Sequence, residues 1–361
     1  MLDEGFYILY KKDWNEAKKV FEEWWEGTLS RPLIQLIGPK DGPVSGLDSW
    51  AFLRYHPDAE KAMDLLFSQF SNMIFEKEAY PNVWVNLGPG SLSAYLGGDL
   101  RFDGRVNTSW FRGAFSLDDL QQMEFDPDNE WWRYTCHAYE VAARRCEDKA
   151  VVAFTDLLDA VTVAAQLRGD FPTVLLKDMF LEGPELKKAL ERVHELFFQY
   201  YDESCKLINT PENGYSTWAG LWSKKSHFTL QCDLMVYLSP RMFREFIYPL
   251  IIKECGYFER TIWHLDGPLE LNHVDDLLSI PELDCIQWIP GEGNPDPGET
   301  CWVPLYKKIQ EKEKLIQIFV PPQKVMRILS RISPKGVAVN TVCETRGQME
   351  ELLKEIEKRY A

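Results

Sequence analysis

The chain has 361 residues, enough to bury a sizeable core either as two ordinary domains or as one large barrel. Its 40 Lys and Arg residues against 56 Asp and Glu residues give a formal net charge of −16. This charge disfavours nucleic acid and substrates with many carboxylates, because the chain would repel polyanions. No apolar run approaches the roughly 20 residues that cross a bilayer, and the amino terminus lacks the basic-then-apolar order of a signal peptide. We therefore expect a soluble, cytoplasmic protein without a membrane partner.

The predicted elements start with an amphipathic helix after Asp13, because apolar residues recur at helical spacing through residue 25. Eight short apolar runs predict strands at about 32–37, 83–87, 150–156, 229–234, 261–265, 284–288, 315–320 and 337–342. Helical patterns lie between them at about 58–75, 129–149, 183–207, 239–259, 269–279, 302–313, 322–332 and 345–360. The segment 110–127 has no clear period and is predicted to be loop with short helical turns.

This alternation of strands and helices predicts parallel pairing, because each right-handed crossover needs a helix to return the chain. No Gly-x-Gly-x-x-Gly fingerprint of a dinucleotide fold follows the first strand. The predicted fold is therefore an α/β TIM-type (β/α)8 barrel with an N-terminal helical extension. Residues 1–80 form the extension packed on the barrel, and residues 81–361 form the barrel, whose chemistry would lie at the carboxyl ends of the strands.

Several polar residues fall at the carboxyl ends of these predicted strands. They are Asn86, Asp156, Asp233, His264, Asp266 and Cys343. Side chains alternate along a strand, so His264 and Asp266 project to one side and Leu265 to the other. Cys232 and Asp233 are adjacent, so at most one of them faces the interior, and we expect it to be Asp233. The barrel topology would bring these residues together although they are far apart in sequence.

Three of these residues, His264, Asp266 and Cys343, carry groups that normally bind zinc. Three protein ligands with an open fourth position is the arrangement of a catalytic zinc site. The alternative is a buried histidine hydrogen-bonded to an aspartate, beside an unrelated core cysteine. None of the eight cysteines forms a Cys-x-x-Cys pair, and most cysteines in such a chain fill the core. From the spacing alone this structural alternative is the more common outcome.

Four segments of the chain resemble the uroporphyrinogen decarboxylase superfamily. They are residues 150–178, residues 230–249 with the motif LQCDLMVYLSP, the motif WHLDG at 263–267, and VAVNTVC at 337–343. The likeness covers most of the chain from about residue 80, and the order and spacing of the motifs make it fairly specific. The superfamily fold is a TIM-type barrel, so the resemblance implies the same fold as the alternation of elements.

The superfamily includes zinc methyltransferases that exchange methyl groups with a corrinoid protein. Methylcobamide:coenzyme M methyltransferases carry His-x-Cys-Gly on one strand and a distant cysteine on the last. This chain matches that pattern at His264, Gly267 and Cys343, but Asp266 replaces the first cysteine. The resemblance therefore implies His264, Asp266 and Cys343 as zinc ligands, with the substitution at Asp266 as its weakest point.

The decarboxylases of the superfamily carry a different set of residues. They have an amino-terminal arginine pair, a serine after the aspartate that corresponds to Asp233, and a histidine near the position of Cys343. Here the early strand region has only one arginine, Arg31, instead of a pair, and Leu234 follows Asp233 where the serine is expected. The resemblance is therefore closer to the methyltransferases than to the true decarboxylases.

A zinc ion with a carboxylate in place of a thiolate is a harder Lewis acid, suited to polarising oxygen. We therefore expect a zinc-dependent methyltransferase that moves a methyl group between a small substrate, of methoxy-aromatic or methylamine type, and the cobalamin of a partner corrinoid protein. The alternatives are a decarboxylase without metal and a non-catalytic ligand-binding barrel. The direction of transfer and a homodimeric assembly stay open.

The remaining site predictions concern acids and aromatic residues. Glu292 lies in a glycine-rich loop after a predicted strand. It has a functional role, as a fourth metal ligand or a proton donor, or it is simply a solvated acid of the loop. The predicted catalytic residues are thus Asp233, Asp266 and Glu292. Asn86, Asp156, Trp218 and Trp288 are predicted to contact substrate, the two tryptophans as an apolar wall. His194, in a charged helical stretch, is predicted to be solvated.

Overall fold

A computed structural model describes residues 9–42, 46–208 and 210–360 of the chain. Its strands are β1 (Leu33–Pro39), β2 (Met73–Lys77), β3 (Asn82–Trp84), β4 (Asp99–Asp103), β5 (Thr108–Arg112), β6 (Val151–Ala153), β7 (Tyr215–Ser216), β8 (Trp222–Ser223), β9 (His227–Leu230), β10 (Arg260–Asp266), β11 (Cys285–Ile289), β12 (Leu315–Phe319) and β13 (Val337–Val342). Its α-helices are α1 (Trp14–Trp25), α2 (Ala51–Arg54), α3 (Ala59–Phe70), α4 (Ser91–Tyr95), α5 (Leu117–Gln122), α6 (Glu130–Cys146), α7 (Ala160–Arg168), α8 (Thr173–Leu181), α9 (Gly183–Leu207), α10 (Thr210–Asn213), α11 (Pro240–Met242), α12 (Tyr248–Tyr257), α13 (Val274–Leu278), α14 (Val303–Glu311), α15 (Val325–Leu329) and α16 (Arg346–Tyr360). One π-helical segment, Phe243–Ile247, joins α11 to α12.

The main sheet has seven strands in the order β2-β1-β13-β12-β11-β10-β9. All neighbours are parallel except β2, which runs antiparallel along the outer edge of β1. A parallel pair, β3 with β6, and two antiparallel hairpins, β4–β5 and β7–β8, complete the strands. We call the side at which the parallel strands end the carboxyl edge of the sheet.

All eight predicted strands are present as β1, β3, β6 and β9 to β13, so the predicted parallel α/β fold is confirmed. Closure into a barrel is not seen within the described residues, where no strand ladder joins β1 to β3 or β6 to β9. The chain at β7 lies between β6 and β9: the Phe154 amide donates to the Ser216 carbonyl at 2.9 Å, and the Thr217 and Thr229 hydroxyls are 2.6 Å apart. The closed barrel stays a prediction.

The two faces of the main sheet differ in what they pack against. On the inner face, Ile262, Cys285 and Ala338 near the amino ends of their strands pack in one apolar cluster with Trp14, Trp24 and Trp25 of helix α1. The neighbouring positions on the outer face, including Trp263, Ile286 and Val339, belong to the larger core under the surrounding helices. Helix α1 therefore covers the amino-end side of the inner face.

The main sheet extends across the predicted boundary between residues 80 and 81. Strand β1, from the predicted extension, pairs in parallel with β13 near the carboxyl terminus of the chain. The division into an extension and a barrel stays a prediction. Among the helices of the described ranges, none has the length and apolar character needed to span a bilayer.

The prediction of loop with short helical turns for 110–127 is wrong at its start. Residues 108–112 form β5, which pairs antiparallel with β4 in a hairpin. Burial alternates along β5, with Ser109 and Phe111 buried and Trp110 and Arg112 exposed. Helices α7 and α8 were not predicted either. Seven of the nine residues of α7 are buried, so this helix lacks the polar face that an amphipathic pattern requires.

Candidate active site

A row of polar side chains crosses the inner face of the main sheet, just above the apolar cluster under α1. It consists of His264 on β10, Gln287 on β11, Gln317 on β12, Asn340 on β13 and Gln35 on β1. His264 and the three glutamines each lie between apolar neighbours in their strands, Asn340 lies between Val339 and Thr341, and the parallel pairing sets these strands side by side. The two glutamines on β11 and β12 are fully buried, whereas His264 and Asn340 are half-buried.

These side chains form a continuous run of hydrogen bonds, which we call the amide chain. His264 Nδ1 lies 2.5 Å from Gln287 Oε1, and Gln287 Nε2 donates to Gln317 Oε1 at 2.8 Å. Gln317 Nε2 donates to Asn340 Oδ1 at 2.9 Å, and Asn340 Nδ2 donates to Gln35 Oε1 at 2.6 Å. A buried polar group without a partner costs free energy, so this pairing allows four amides to occupy the core side of the sheet.

Toward the carboxyl edge, four carboxyl groups of raised pKa form a cluster with the charge of Asp266. Burial raises the pKa of Asp156 to about 7 and that of Asp159 to about 6. Burial, together with the charges of Asp159 and Asp266, raises the pKa of Asp233 to about 7. Burial also raises the pKa of Glu270 to about 9, reinforced by Asp233 and Asp266. Carboxyl groups of this kind hold protons near neutral pH and can act as proton donors.

Asp233 and Asp156 both belong to this group of carboxyl residues, and their predicted roles in catalysis and substrate binding stay predictions. The charge of Asp233 is one of the causes that raise the pKa of Asp156, although the two residues follow different strands. Asp156 accepts hydrogen bonds from Gln231 Nε2 at 2.7 Å and from the Leu158 amide at 2.9 Å. The adjacent Cys232 is buried against Thr162, at 3.8 Å between Sγ and Oγ1, so Asp233 faces the open side as expected.

A cavity of about 520 Å³ opens beside Asp233. Hairpin β4–β5 supplies one wall through Trp110, Phe111 and Arg112, and Phe171 stands on another side. This volume is in the range of small-molecule sites, which are mostly apolar with a few convergent polar groups. The cavity therefore combines aromatic walls with a carboxyl group of raised pKa, which is the pattern of an active site.

A glycine turn brings hairpin β4–β5 to the cavity. Gly88 follows β3 with a φ of +95°, and a Cβ atom there would lie 1.7 Å from Ser109 Oγ. The Ser109 hydroxyl donates to the Leu87 carbonyl at 3.2 Å. Only glycine fits this left-handed position with β5 so close.

His264 lies at the end of the amide chain nearest the carboxyl groups. Its ring meets Trp218 edge-on, with ring centroids 4.8 Å apart, and Trp218 is 6.4 Å from Trp84. Burial lowers the pKa of His264, although the charge of Asp266 and the hydrogen bond with Gln287 act in the opposite direction. Trp218 and Asp266 are thus both near His264, and the sequence had predicted this proximity only for Asp266.

The predicted zinc ligands do not assemble. No group of three or more His, Cys, Asp or Glu side chains able to hold a metal ion occurs among residues 9–42, 46–208 and 210–360. Asp266 is exposed, and its backbone amide donates to Glu270 Oε2 at 2.8 Å. Cys343 is fully buried in the outer core, with its pKa raised by burial to about 11, so its thiol stays protonated. The arrangement of these residues does not fit a zinc ion bound by all three.

The position of Cys343 follows from the alternation of side chains. On β13, Ala338 and Asn340 face the inner side, whereas Val337 and Val339 belong to the outer core. Cys343 continues the outer set, and the inner position before it is Val342, which is 53% exposed. The strand therefore presents a valine at the carboxyl edge where the zinc hypothesis needs a thiol.

Three other predicted site residues lie outside the site. Asn86 is buried and fully engaged, since its Nδ2 donates to the Ser49 carbonyl at 2.9 Å and its Oδ1 accepts from the Gly88 amide at 2.7 Å. Trp288 is fully buried on the outer face against Trp302, so it is not a wall of the cavity. Glu292 is exposed in its loop, in agreement with the solvated-acid alternative.

The sequence prediction missed the amide chain, Glu270 and the cavity wall. Four strands each carry a single amide residue, which in three of them lies between apolar residues, and that repetition was the available signal. Glu270 lies in a 3-10 turn four residues after Asp266, the last residue of β10, and nothing in the sequence marks it. The cavity wall depends on the antiparallel pairing of β4 and β5. The irregular hydrophobicity of 110–127 gave no indication of that pairing.

Neither a protein-family model nor a curated protein matches the chain. The fold, however, is shared with a methyltransferase. The chain is similar to the solved structure of a methyltransferase from Methanosarcina mazei, with a TM-score of 0.61 and 12% sequence identity. The match covers 96% of this chain and 99% of that chain. At this identity the likeness establishes a common fold over nearly the whole length. The resemblance to the uroporphyrinogen decarboxylase superfamily stays a prediction from the motifs.

Proposed function

We propose that the protein is a methyltransferase that removes a methyl group from a small methoxy-aromatic or methylamine-type substrate, with a partner corrinoid protein as acceptor. The observation that carries this proposal is Asp233, a carboxyl group with a pKa of about 7 beside an aromatic-walled cavity of about 520 Å³. The shared fold with a methyltransferase supports the reaction class, and closure of the strands into a barrel is part of the proposal.

Demethylation of an ether requires a proton at the leaving oxygen. The bond between the methyl carbon and oxygen breaks, the electron pair stays on oxygen, and that oxygen takes up a proton. Asp233 suits this role because about half of it is protonated at pH 7, and more at lower pH, and because it borders the cavity. General acids of this kind contribute about 10²- to 10⁴-fold to a rate. After the transfer, the Asp233 carboxylate regains a proton from solvent.

Burial, reinforced by neighbouring carboxyl groups, keeps this proton on Asp233. Burial is the largest cause of its raised pKa, and the charges of Asp159 and Asp266 add to it. Glu270, with a pKa of about 9, stays neutral at pH 7 and does not add a further negative charge. The cluster thus places the pKa of the proton donor near the working pH, where general acid catalysis is most effective.

The cavity selects flat, largely apolar substrates. Trp110 and Phe171, 46% and 42% exposed, stand where they can contact an aromatic ring, and Phe111 lies buried behind them. Aromatic pairs prefer offset or edge-on contact, and each is worth about 0.5 to 1.5 kcal/mol beyond its buried area. Thr162 and Gln166 on α7 add a hydroxyl and an amide to the same lining.

A corrinoid on the partner protein would supply a nucleophilic cobalt that accepts the methyl group. The cavity volume suits a small molecule, so the partner would approach from the carboxyl edge rather than enter the cavity. No step of the proposal passes through zinc, because the predicted ligands do not assemble in this fold.

The proposal is tested by incubating the protein with methoxy-aromatic compounds and methylamines in the presence of free, chemically reduced cobalamin. Methyl transfer is followed by the absorbance change of the cobalamin and by release of the demethylated product. We expect turnover with at least one aromatic ether. The rate should fall as pH rises above about 7, because the carboxylate form of Asp233 cannot donate a proton.

The matched variants are Asp233→Asn and Asp99→Asn. We expect Asp233→Asn to lower kcat by about 10²-fold and to remove the fall above pH 7. Asp99 is an exposed aspartate on β4, and its replacement should leave kcat unchanged. Absence of transfer across the whole substrate panel, or release of carbon dioxide from uroporphyrinogen, would contradict the proposal.

A further inference from the structure

The amide chain is anchored at two points by backbone carbonyls. Gln317 Nε2 donates to the Ala219 carbonyl at 2.7 Å, and Gln35 Nε2 donates to the Gly220 carbonyl at 2.7 Å. A carbonyl oxygen only accepts hydrogen bonds, so it must face the amino group of each glutamine. Rotating either side-chain amide by 180° would place two oxygen atoms in contact. The loop between β7 and β8 therefore fixes the orientation of both glutamines.

These anchors determine the orientation of the other two amides. Asn340 lies between the two anchored glutamines, and Gln287 lies next to Gln317. The oxygen of Gln35 faces Asn340, so Asn340 presents Nδ2 to Gln35 and Oδ1 to Gln317. The oxygen of Gln317 faces Gln287, so Gln287 donates through Nε2. Every amide in the chain thus points in the same sense. The remaining oxygen, Gln287 Oε1, faces the imidazole of His264.

We infer that Gln287, Gln317, Asn340 and Gln35 are positioning residues that set the tautomer of His264. Gln287 Oε1 can only accept, and it lies 2.5 Å from His264 Nδ1, so Nδ1 must carry a hydrogen. In the neutral ring the other nitrogen, Nε2, then holds the lone pair. That nitrogen lies on the far side of the ring from Gln287.

The consequence is that His264 offers a hydrogen-bond acceptor on the side of the ring away from the amide chain. Trp218 meets the ring edge-on, with ring centroids 4.8 Å apart, and Asp266 follows two residues later on the same side of β10. An imidazole of fixed tautomer can accept a proton from a substrate through Nε2 without first rearranging. This inference does not depend on methyl transfer, because it follows from the hydrogen bonds alone.

The test is a tautomer measurement on the intact protein, labelled with 15N-histidine and studied by NMR at about pH 8, where a histidine of ordinary pKa is neutral. The chain has six histidines, and the signals of His264 are those lost in His264→Gln. We expect His264 to carry its hydrogen on Nδ1 and to show Nε2 as the unprotonated nitrogen. A wild-type protein with the hydrogen on Nε2 would overturn the inference without any variant.

Three variants then show whether the amide chain is the cause. Gln287→Met removes the acceptor, and we expect the tautomer ratio to shift about fivefold to tenfold toward hydrogen on Nε2, the effect of one hydrogen bond. Gln287→Glu, in its protonated form, keeps a carbonyl acceptor for His264 Nδ1 and a hydroxyl donor for Gln317 Oε1, and should retain the wild-type tautomer. Thr341→Val, which removes a buried hydroxyl without a hydrogen-bond partner in the described structure, should change nothing. A folded Gln287→Met protein with the wild-type ratio would refute the role of the chain.

Discussion

The substitution Asp156→Asn should stabilise the protein, and the gain should grow as pH rises. Asp156 is only 4% exposed, and its pKa is raised from 3.8 to about 7 in the folded protein. As pH rises from about 4, the unfolded chain releases this proton first, so the folded state binds more protons up to about pH 7. Stability is therefore lost over that interval and stays lower above it. Asparagine keeps Oδ1 as an acceptor for Gln231 and Leu158 and carries no charge.

The size of the effect follows from the shift in pKa. A shift of about three units corresponds to about 4 kcal/mol of stability, of which about 2.5 kcal/mol is lost between pH 5 and pH 8. For 361 residues the entropy of unfolding is about 0.76 kcal/mol/K, so 2.5 kcal/mol corresponds to about 3 °C in Tm. We expect the difference in Tm between Asp156→Asn and wild type to increase by about that amount from pH 5 to pH 8.

Differential scanning fluorimetry of both proteins across this pH range measures the effect. Asp41→Asn, at an exposed position, controls for the removal of one negative charge from an acidic chain and should show a small, pH-independent difference. If the advantage of Asp156→Asn is constant with pH, or is larger at pH 5 than at pH 8, the buried carboxyl group does not titrate as described.

Two further predictions concern the predicted metal site and the hairpin. After dialysis against zinc, Cys343→Ala should bind as much zinc as the wild type, because the thiol lies in the outer core. The zinc content is measured by plasma mass spectrometry. Loss of one zinc per chain in both Cys343→Ala and His264→Ala would show that the ligands do assemble. Gly88→Ala should lower Tm by about 3 °C, since a strained φ and a clash with Ser109 together cost about 2 kcal/mol. Gly256→Ala, in helix α12 with no atom within 4 Å of its added Cβ, should not lower Tm, and a similar loss in both variants would refute the steric argument.

The strands of the main sheet were predictable because they are buried on both faces. Parallel strands covered on each side appear in sequence as short, nearly continuous apolar runs, and 315–319 is an example with its single Gln317. Hairpin β4–β5 has one exposed side and includes charged residues, so it lacked that signal. Periodicity thus identified the six parallel strands of the main sheet, β1 and β9 to β13. It missed the antiparallel edge strand β2, whose first residues fell in the predicted helix 58–75, and the hairpin that shapes the cavity.

Individual side chains were less predictable than strands, because their surroundings depend on packing between distant segments. His194 was predicted to be solvated, but it is 2% exposed and lies 3.2 Å from Glu254 of helix α12. The adjacent Glu195 is exposed, so the charge next to His194 in the sequence did not indicate that His194 itself is buried. For Cys343, the sequence shows a cysteine near a strand end, but only the observed strand shows that it falls on the outer face.

The cover that helix α1 places over the amino ends of the strands has a kinetic consequence. Trp25 Nε1 donates to the Trp222 carbonyl at 2.9 Å, and Trp24 is fully buried beneath it, so this side is sealed within the described residues. Small molecules then reach His264 and Asp233 from the carboxyl edge. A large partner that docks at this edge would block the passage of small molecules. Substrate would have to arrive before the partner, and product would leave after it, which is a compulsory order of addition.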